Sequence, residues 1–179
     1  MVWAVAFLGA CGAAWRPDSP RPAFDLDVPE GWVITRNHRF LWNREFALVA
    51  PDARASITLQ VVRERAATRE VPLDLLVETR AVQRDRVFGV ETSVARVDSI
   101  VLDQREAWVA TGQTRWHAAA GAYSLVALRA GPNVAFLTLL APEGELDSAL
   151  AAWSSVLDTL VFPAWPPVPD PPLFPAEPS

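Results

Sequence analysis

The residue with the most specific chemistry in this sequence is Cys11. It is the one cysteine among the 179 residues, and it directly follows an apolar start and the triplet Leu8-Gly9-Ala10. Small residues before a cysteine, with a leucine as the apolar anchor, are typical of the processing site of a bacterial lipoprotein. We therefore predict that residues 1–11 are a lipoprotein signal peptide, and that cleavage leaves Cys11 as a lipid-bearing N-terminus.

The residues that flank this motif bear on where the protein resides. No Arg or Lys precedes the apolar start, which we expect if the natural chain begins further upstream. The alternative is an apolar N-terminus that packs on the domain. Gly12, where an aspartate would favour the inner membrane, is compatible with residence at the outer membrane, on its periplasmic face. Residues 12–23 contain three prolines and no periodicity, so we expect an extended tether.

A second stretch with binding chemistry is residues 35–45, where arginine and aromatic side chains are interleaved. Its candidate binding residues are Arg36, His38, Arg39 and Trp42. Guanidinium groups bind carboxylates and phosphates, and aromatic rings present an apolar face that attracts cations. This pattern predicts a site for an anionic headgroup, a sugar or an acidic partner. The alternative is a solvated loop whose aromatic residues anchor it to the core.

The sequence carries no pattern that is typical of an enzyme. Neither His38 nor His117 stands in the His-x-x-x-His or Glu-x-x-His spacing that suits zinc. A G-x-S-x-G elbow, a P-loop and a dinucleotide-binding glycine pattern are also absent. Asp25 and Asp27 share one side of a predicted strand and could hold a cation, but solvent-facing carboxylates are commoner there. We therefore predict no catalytic residue, no metal site and no cofactor site.

The pattern of apolar residues predicts an α+β domain over residues 24–162. Alternation predicts strands at 24–28, 46–50, 55–62, 91–102, 107–116, 122–129 and 134–140. A period of 3.6 residues predicts helices over 71–84 and 145–160. The apolar stripe of the first helix is widened by Leu75, and that of the second includes Leu150 and Trp153. The last strand is the most apolar, so we expect it at the centre of the sheet. This order favours a mostly antiparallel sheet packed against two main helices.

The C-terminal stretch 163–179 is a proline-rich tail with a strict period. Proline recurs at every third position from Pro163 to Pro178. Polyproline II has three residues per turn, so these prolines would line one edge of an extended rod. Trp165 and Phe174 fall on a second, apolar edge. The tail is either disordered or an arm that lays these two rings into a groove on its own domain or on a partner.

Residues 29–32, Pro-Glu-Gly-Trp, close the first predicted strand and resemble the opening of the PsbP-like fold family. The elements that follow are a hairpin, a helix, antiparallel strands and a closing helix that runs into the apolar end 160–162. This order is similar to that of the family's small lipoproteins of the DcrB and LpqN type. The turn at 104–106 departs from the Asn-Gly type that such domains often carry. The resemblance implies an α/β/α sandwich and a non-enzymatic, envelope-associated or accessory role, with no catalytic residues.

These observations together predict a lipid-anchored protein of the bacterial cell envelope that binds a partner without catalysis. The expected partners are the membrane, through a lipid on Cys11, and an unknown protein or envelope component. The net charge of −5 offers no broad basic surface for nucleic acid. Two alternatives stay open, namely a chaperone or accessory protein of a secretion or envelope complex, and a hydrolase with an unrecognised site.

Overall fold

The computed structural model describes residues 24–40, 43–88, 91–116 and 119–162. The predicted signal peptide, tether and proline-rich tail lie outside these ranges. The predicted site residues Cys11, Trp42, Trp165 and Phe174 therefore lie outside them as well, and so does His117.

The described domain contains seven strands and three α-helices. The strands are β1 (Val33–Phe40), β2 (Asn43–Val49), β3 (Ser56–Arg63), β4 (Glu91–Leu102), β5 (Arg105–Trp116), β6 (Ala119–Ala130) and β7 (Asn133–Pro142). The helices are α1 (Ala66–Arg69), α2 (Leu73–Phe88) and α3 (Leu146–Thr159), the last preceded by a 3-10 turn (Glu143–Glu145). All neighbouring strands are antiparallel, in the order β1-β2-β3-β7-β6-β5-β4. The most apolar strand, β7, is central, as predicted.

Each face of this sheet packs against one helix. On one face, Trp153 and Val156 of α3 join a buried core with Leu59 and Leu137 of the sheet. On the other face, Val77 and its neighbours on α2 pack on β4, β5 and β6. A strand that is covered on both faces reads as continuously apolar, which explains the composition of β7. The predicted α+β fold, an α/β/α sandwich, is confirmed.

Both main helices lie where the periodicity placed them, but two residues of the predicted apolar stripes are exposed. Leu75 on α2 is 50% exposed and Leu150 on α3 is 41% exposed. On α3 the buried face is narrower and centres on Ala149, Ala152 and Trp153. A helix that lies on a flat sheet buries only the side chains nearest its contact line, so the margins of a wide stripe stay in solvent.

Residues 24–28, predicted as a half-buried strand, are not part of the sheet. They make one isolated bridge, between Asp25 and Val161, and the backbone N–H of Asp27 donates to Oγ1 of Thr159 at 3.1 Å. This segment therefore runs beside the end of α3. Phe24 is buried and Leu26 packs on the core, as the alternation predicts, but the segment pairs with the extended residues that follow α3 and not with a strand of the sheet.

Most of residues 33–45, for which the sequence predicted no strand, form β1 and the start of β2. The solvated-loop interpretation of residues 35–45 is therefore wrong for 35–40 and 43–45. β1 is an edge strand whose described side chains are all exposed, so it lacks the apolar alternation that marks a half-buried strand. Its register with β2 shifts between Ile34 and Arg36, and a bulge of this kind discourages a further strand from pairing with the edge.

The two ends of the described domain lie side by side. Asp25 and Val161 exchange backbone hydrogen bonds of 2.8 and 2.9 Å. The buried rings of Phe24 and Phe162 lie 6.4 Å apart, and the guanidinium carbon of Arg44 lies 3.8 Å from the centroid of the Phe24 ring. The residues before 24 and after 162 therefore join the domain at neighbouring points.

The β4–β5 turn holds the C-terminal end of the domain. Asp103 and Gln104 have φ angles of 48° and 58°, the left-handed conformation that a two-residue hairpin turn requires and that Asn-Gly would usually supply. The carboxylate of Asp103 accepts hydrogen bonds from Arg105 and from the backbone N–H of Phe162, the latter at 3.0 Å. The hydrogen bonds of the Asp103 carboxylate thus hold a turn that lacks the usual Asn-Gly pair.

We expect Gly31→Ala to lower the free energy of unfolding by about 1–3 kcal/mol, the usual cost of a left-handed non-glycine residue. Gly31, in the 29–32 turn, has a φ of 79°, and an added Cβ would lie 3.2 Å from Cγ of Pro51. Urea unfolding followed by tryptophan fluorescence measures the change. Gly144→Ala is the control, because nothing lies within 4 Å of its Cβ. Equal losses in both variants would contradict this explanation.

Candidate binding surface

One half of the sheet presents polar side chains on the face that carries α2. That helix packs on β4, β5 and β6, whereas on β1, β2 and β3 the described side chains of this face are mostly exposed or half-buried. We call this surface the polar sheet face. It consists of Arg36, His38, Glu45, Thr58 and Gln60 on the strands and Arg80 on α2, and the buried Thr138 lies on the same face of β7.

Strand register arranges the polar sheet face in two rows across the sheet. One row runs through His38, Glu45, Gln60 and Phe136, which are consecutive register partners from β1 to β7. The other row runs through Arg36, Ala47, Thr58 and Thr138. Directly opposite residues on one face lie about 5 Å apart and adjacent rows about 7 Å apart. The sheet thus brings four segments that are distant in sequence into one surface.

Arg36 and Glu45 form an ion pair within this surface. Nη1 of Arg36 donates to Oε1 of Glu45 at 2.6 Å. Their side chains are 53% and 38% exposed, so water screens the pair and its contribution to stability is small. Its consequence for binding is larger, because Glu45 offsets most of the positive charge that Arg36 brings to the face.

Arg80 borders the polar sheet face from α2. Its guanidinium donates to Oε1 of Gln60, and its Cζ lies 5.2 Å from the centroid of the Phe136 ring. Burial lowers the pKa of Arg80 from its ordinary value, because desolvation disfavours the charged form. Among the side chains that the structure describes, no carboxylate forms an ion pair with it. The face therefore keeps one guanidinium whose charge is not offset by an acid.

The side chains of this surface are suited to binding a ligand. His38 lies opposite Glu45, as a base and its orienting acid would, but the Glu45 carboxylate is already bonded to Arg36. Ser56, Thr58 and Thr138 carry hydroxyls on this face, but strand register places them outside the row that contains His38. Guanidinium, amide and hydroxyl groups on a rigid sheet are suited to binding polar or anionic groups.

Two surface grooves lie elsewhere on the domain. The first, of about 560 Å³, lies between the 29–32 turn, the β2–β3 turn and α3. Three carboxylates line it, those of Glu30, Asp52 and Glu145. Nε of Arg54 lies 3.8 Å from Oδ2 of Asp52, and its Nη1 lies 3.7 Å from Oε1 of Glu145. The guanidinium therefore offsets part of the acidic charge of the groove. Its described lining residues include no histidine or cysteine.

The second groove, of about 550 Å³, lies where β5, β6 and the start of α3 meet. Gln113, Arg115, Glu143 and Leu146 are among its lining residues. Again the described lining contains no histidine or cysteine. Across the described part of the chain, no group of three or more His, Cys, Asp or Glu side chains could hold a metal ion. Asp25 and Asp27, weighed as a cation site, belong to no such group.

Of the residues that the sequence singled out, the structure places Arg36 and His38 together on the polar sheet face. Arg39 belongs to β1, where its register partner is Arg44. Five residues of this face were not predicted as site residues, namely Glu45, Thr58, Gln60, Thr138 and Arg80. A signal for some of them was present, because Thr58 and Gln60 alternate with the apolar residues of β3, and Arg80 interrupts the inward stripe of α2.

The sequence matches no protein-family model and no curated protein. The solved structures that share the architecture include the following two. LpqN from Mycobacterium tuberculosis, described as involved in cell envelope biogenesis, has a TM-score of 0.55 at 14% identity, over 81% of this chain and 86% of that one. Cyanobacterial PsbP (CyanoP) from Synechocystis sp. PCC 6803 has a TM-score of 0.54 at 9% identity, over 87% of this chain and 98% of that one.

These two likenesses define the class of the domain, which has the PsbP-like fold. The fold that the 29–32 turn and the order of elements predicted is thus confirmed, and it is shared with an LpqN-type protein. None of the helices that the structure describes is both long enough and apolar enough to span a membrane.

Proposed function

We propose that this chain is a lipid-anchored protein of the bacterial cell envelope whose PsbP-like domain binds an envelope component without catalysis. The observation that carries the binding role is the polar sheet face, a rigid surface of guanidinium, amide and hydroxyl groups. The envelope location is supported by the motif that ends at Cys11 and by the fold shared with LpqN, a protein described as involved in cell envelope biogenesis.

The absence of catalysis is part of this proposal. It is supported by the ion pair that occupies Glu45. A hydrolase would need a nucleophile and a base within hydrogen-bond reach of each other. Among the described residues His38 is the sole histidine, and its register partner Glu45 is held by Arg36.

The position of the chain ends fits an anchor at the N-terminus. The tether 12–23 enters the domain at Phe24, beside Phe162 where the proline-rich tail begins. At about 3.1 Å per residue, the tether would hold the domain up to roughly 35–40 Å from a membrane. In this arrangement the tail starts close to the point where the tether enters the domain.

We expect Cys11→Ser to release the protein from membranes in a bacterial host that processes lipoproteins. A lipid chain contributes about 0.8 kcal/mol per buried CH₂, so its loss removes the main attraction to the bilayer. Fractionation after a high-salt wash should find the wild-type chain in the membrane pellet and Cys11→Ser in the supernatant.

The matched control combines Cys11→Ser with Ser19→Cys, which keeps one thiol in the chain but places it after Arg16-Pro17-Asp18. This variant should also be soluble, because the small residues that precede Cys11 are missing at the new position. A wild-type chain that stays in the cytosolic fraction would contradict the anchor and favour the accessory-protein alternative.

A further inference from the structure

We infer that the first groove, between the 29–32 turn, the β2–β3 turn and α3, is a docking site for the tether of the same chain. The docking segment is residues 15–22, Trp-Arg-Pro-Asp-Ser-Pro-Arg-Pro, which precede the residues that the structure describes. Docking itself needs no lipid, but its consequence for the position of the domain at a membrane rests on the proposed anchor at Cys11.

The first support is the apolar floor of the groove. Trp32, Pro51, Ala55 and Ala152 are among its lining residues. Trp32 is half-buried and packs against the main core, and the buried Ala55 and Ala152 present only methyl groups to a cavity of about 560 Å³. Grooves that are lined by an aromatic ring bind proline-rich segments in the polyproline II conformation, because these segments are already extended before they dock.

The second support is complementary charge. Three carboxylates line the groove, and Arg54 is the one guanidinium that the structure pairs with them, so the groove is acidic overall. Residues 15–22 carry two arginines and one aspartate. The proline-rich tail, residues 163–179, carries two acidic residues and no basic residue. Charge therefore favours the tether over the tail as the occupant of this groove.

The third support is the distance between the groove and the point where the tether begins. From Phe24 the chain runs beside the end of α3 and reaches the groove at Pro29, one of its lining residues. Five extended residues span at most about 17 Å. Arg16 precedes Phe24 by eight residues, which span up to about 25 Å as polyproline II. The tether is therefore long enough to turn back before residue 24 and to place Arg16 at the groove.

Docking would shorten the link between the domain and the membrane. With residues 15–22 held against the domain, the link that remains is residues 12–14, which span about 10 Å instead of the roughly 35–40 Å of the free tether. The anchored domain would then have two positions, one close to the lipid surface and one extended. Because salt screens the attraction between exposed charges, high ionic strength should favour the extended position.

The experiment measures paramagnetic broadening of amide signals in the unlipidated, ¹⁵N-labelled full chain. A nitroxide is attached to the single thiol of Cys11→Ser with Ser19→Cys, which lies in the docking segment five residues before Phe24. We expect this label to remove most of the intensity of the backbone amide signals of the groove, such as those of Asp52 and Ser155. Added sodium chloride should restore part of that intensity.

The matched control carries the nitroxide in the tail, on Cys11→Ser with Pro167→Cys. Residue 167 follows Phe162 by five residues, and Phe162 lies beside Phe24, so both labels have the same length of chain between them and neighbouring points of the domain. A tether and a tail that move freely would therefore broaden the groove signals equally. We expect the tail label to broaden them much less than the tether label does.

A second pair of variants tests the charge. Adding Arg16→Glu to the tether-labelled chain should reduce the broadening to the level of the tail label, because the groove then repels the segment. Asp18→Ser, which removes an acidic charge from the same segment, should preserve the broadening.

Three results would overturn the inference. They are broadening by the tail label that equals or exceeds that by the tether label, broadening that survives Arg16→Glu, and broadening that requires a nitroxide on a second copy of the chain, detected by mixing labelled ¹⁴N chains with unlabelled ¹⁵N chains. None of these samples carries a lipid, so a failure here is distinguishable from a failure of the proposed anchor at Cys11.

Discussion

Replacing Arg129 by methionine is expected to lower the free energy of unfolding by about 3–4 kcal/mol, within the range found when one partner of a buried ion pair is removed. The Nε and Nη2 atoms of Arg129 donate three hydrogen bonds to the carboxylate of Glu64, whose side chain is 2% exposed. Without Arg129 this carboxylate would stay buried with no positive partner of its own, and that is the main cost.

The same guanidinium also holds the connection between β3 and α2. Nη2 of Arg129 donates to the backbone oxygens of Thr68 at 3.2 Å and of Val71 at 2.7 Å. These residues belong to α1 and to the residues that lead into α2. The substitution should therefore loosen the start of the helix that carries Arg80, besides lowering global stability.

Urea unfolding measures this effect, and two further variants interpret it. Arg96→Met breaks an ion pair with Asp98 whose arginine side chain is 73% exposed, so it should change stability by less than about 0.5 kcal/mol. Combining Arg129→Met with Glu64→Leu removes both charges and should recover most of the loss. A double variant as unstable as Arg129→Met would show that the backbone contacts, rather than the buried carboxylate, dominate.

The second large effect is expected for Trp153→Ala, at about 3–5 kcal/mol. Trp153 is 5% exposed and lies in the core between α3 and the sheet. Truncation removes its apolar contacts and leaves a cavity that the rigid sheet beneath cannot fill. Thermal and urea denaturation followed by far-ultraviolet circular dichroism would detect the loss.

Leu150→Ala is the matched control for Trp153→Ala. The periodicity of the sequence assigns both residues to the buried stripe of α3, whereas the structure leaves Leu150 41% exposed. The control should therefore cost less than about 1 kcal/mol, and leucine and alanine differ little in helix propensity. Equal losses in the two variants would mean that α3 is rotated relative to the described packing.

The sequence predicted best the strands and helices that have at least one face buried in the domain. The composition of β7 predicted its central position, and the period of α3 predicted its contact with the sheet. It was least successful at the edge, because β1 has both faces largely in water and its residues show no alternation of apolar side chains. What identifies β1 as a strand is its hydrogen-bonded pairing with β2. That pairing cannot be read from the residues of β1 alone.

The polar sheet face could be predicted only in part, for a related reason. Arg36 and His38 stood out because they belong to a cluster that is local in sequence. Gln60 and Arg80 come from separate segments that the sheet register and the position of α2 bring together. No local pattern joins such residues, since their proximity is a property of the tertiary structure.

The chain ends were also beyond local reasoning. The sequence predicted a membrane anchor at Cys11 and a proline-rich tail at the other end, and nothing in it places residue 24 beside residue 162. The contact between Phe24 and Phe162, and the bridge between Asp25 and Val161, make both extensions start at one place.

The proposed lipid anchor is tested most directly by the mass of the N-terminal peptide from protein isolated from bacterial membranes. We expect a peptide that starts at Cys11, lacks residues 1–10 and carries a lipid on the sulfur. A peptide that retains residues 1–10 with an unmodified Cys11 would contradict the lipid anchor.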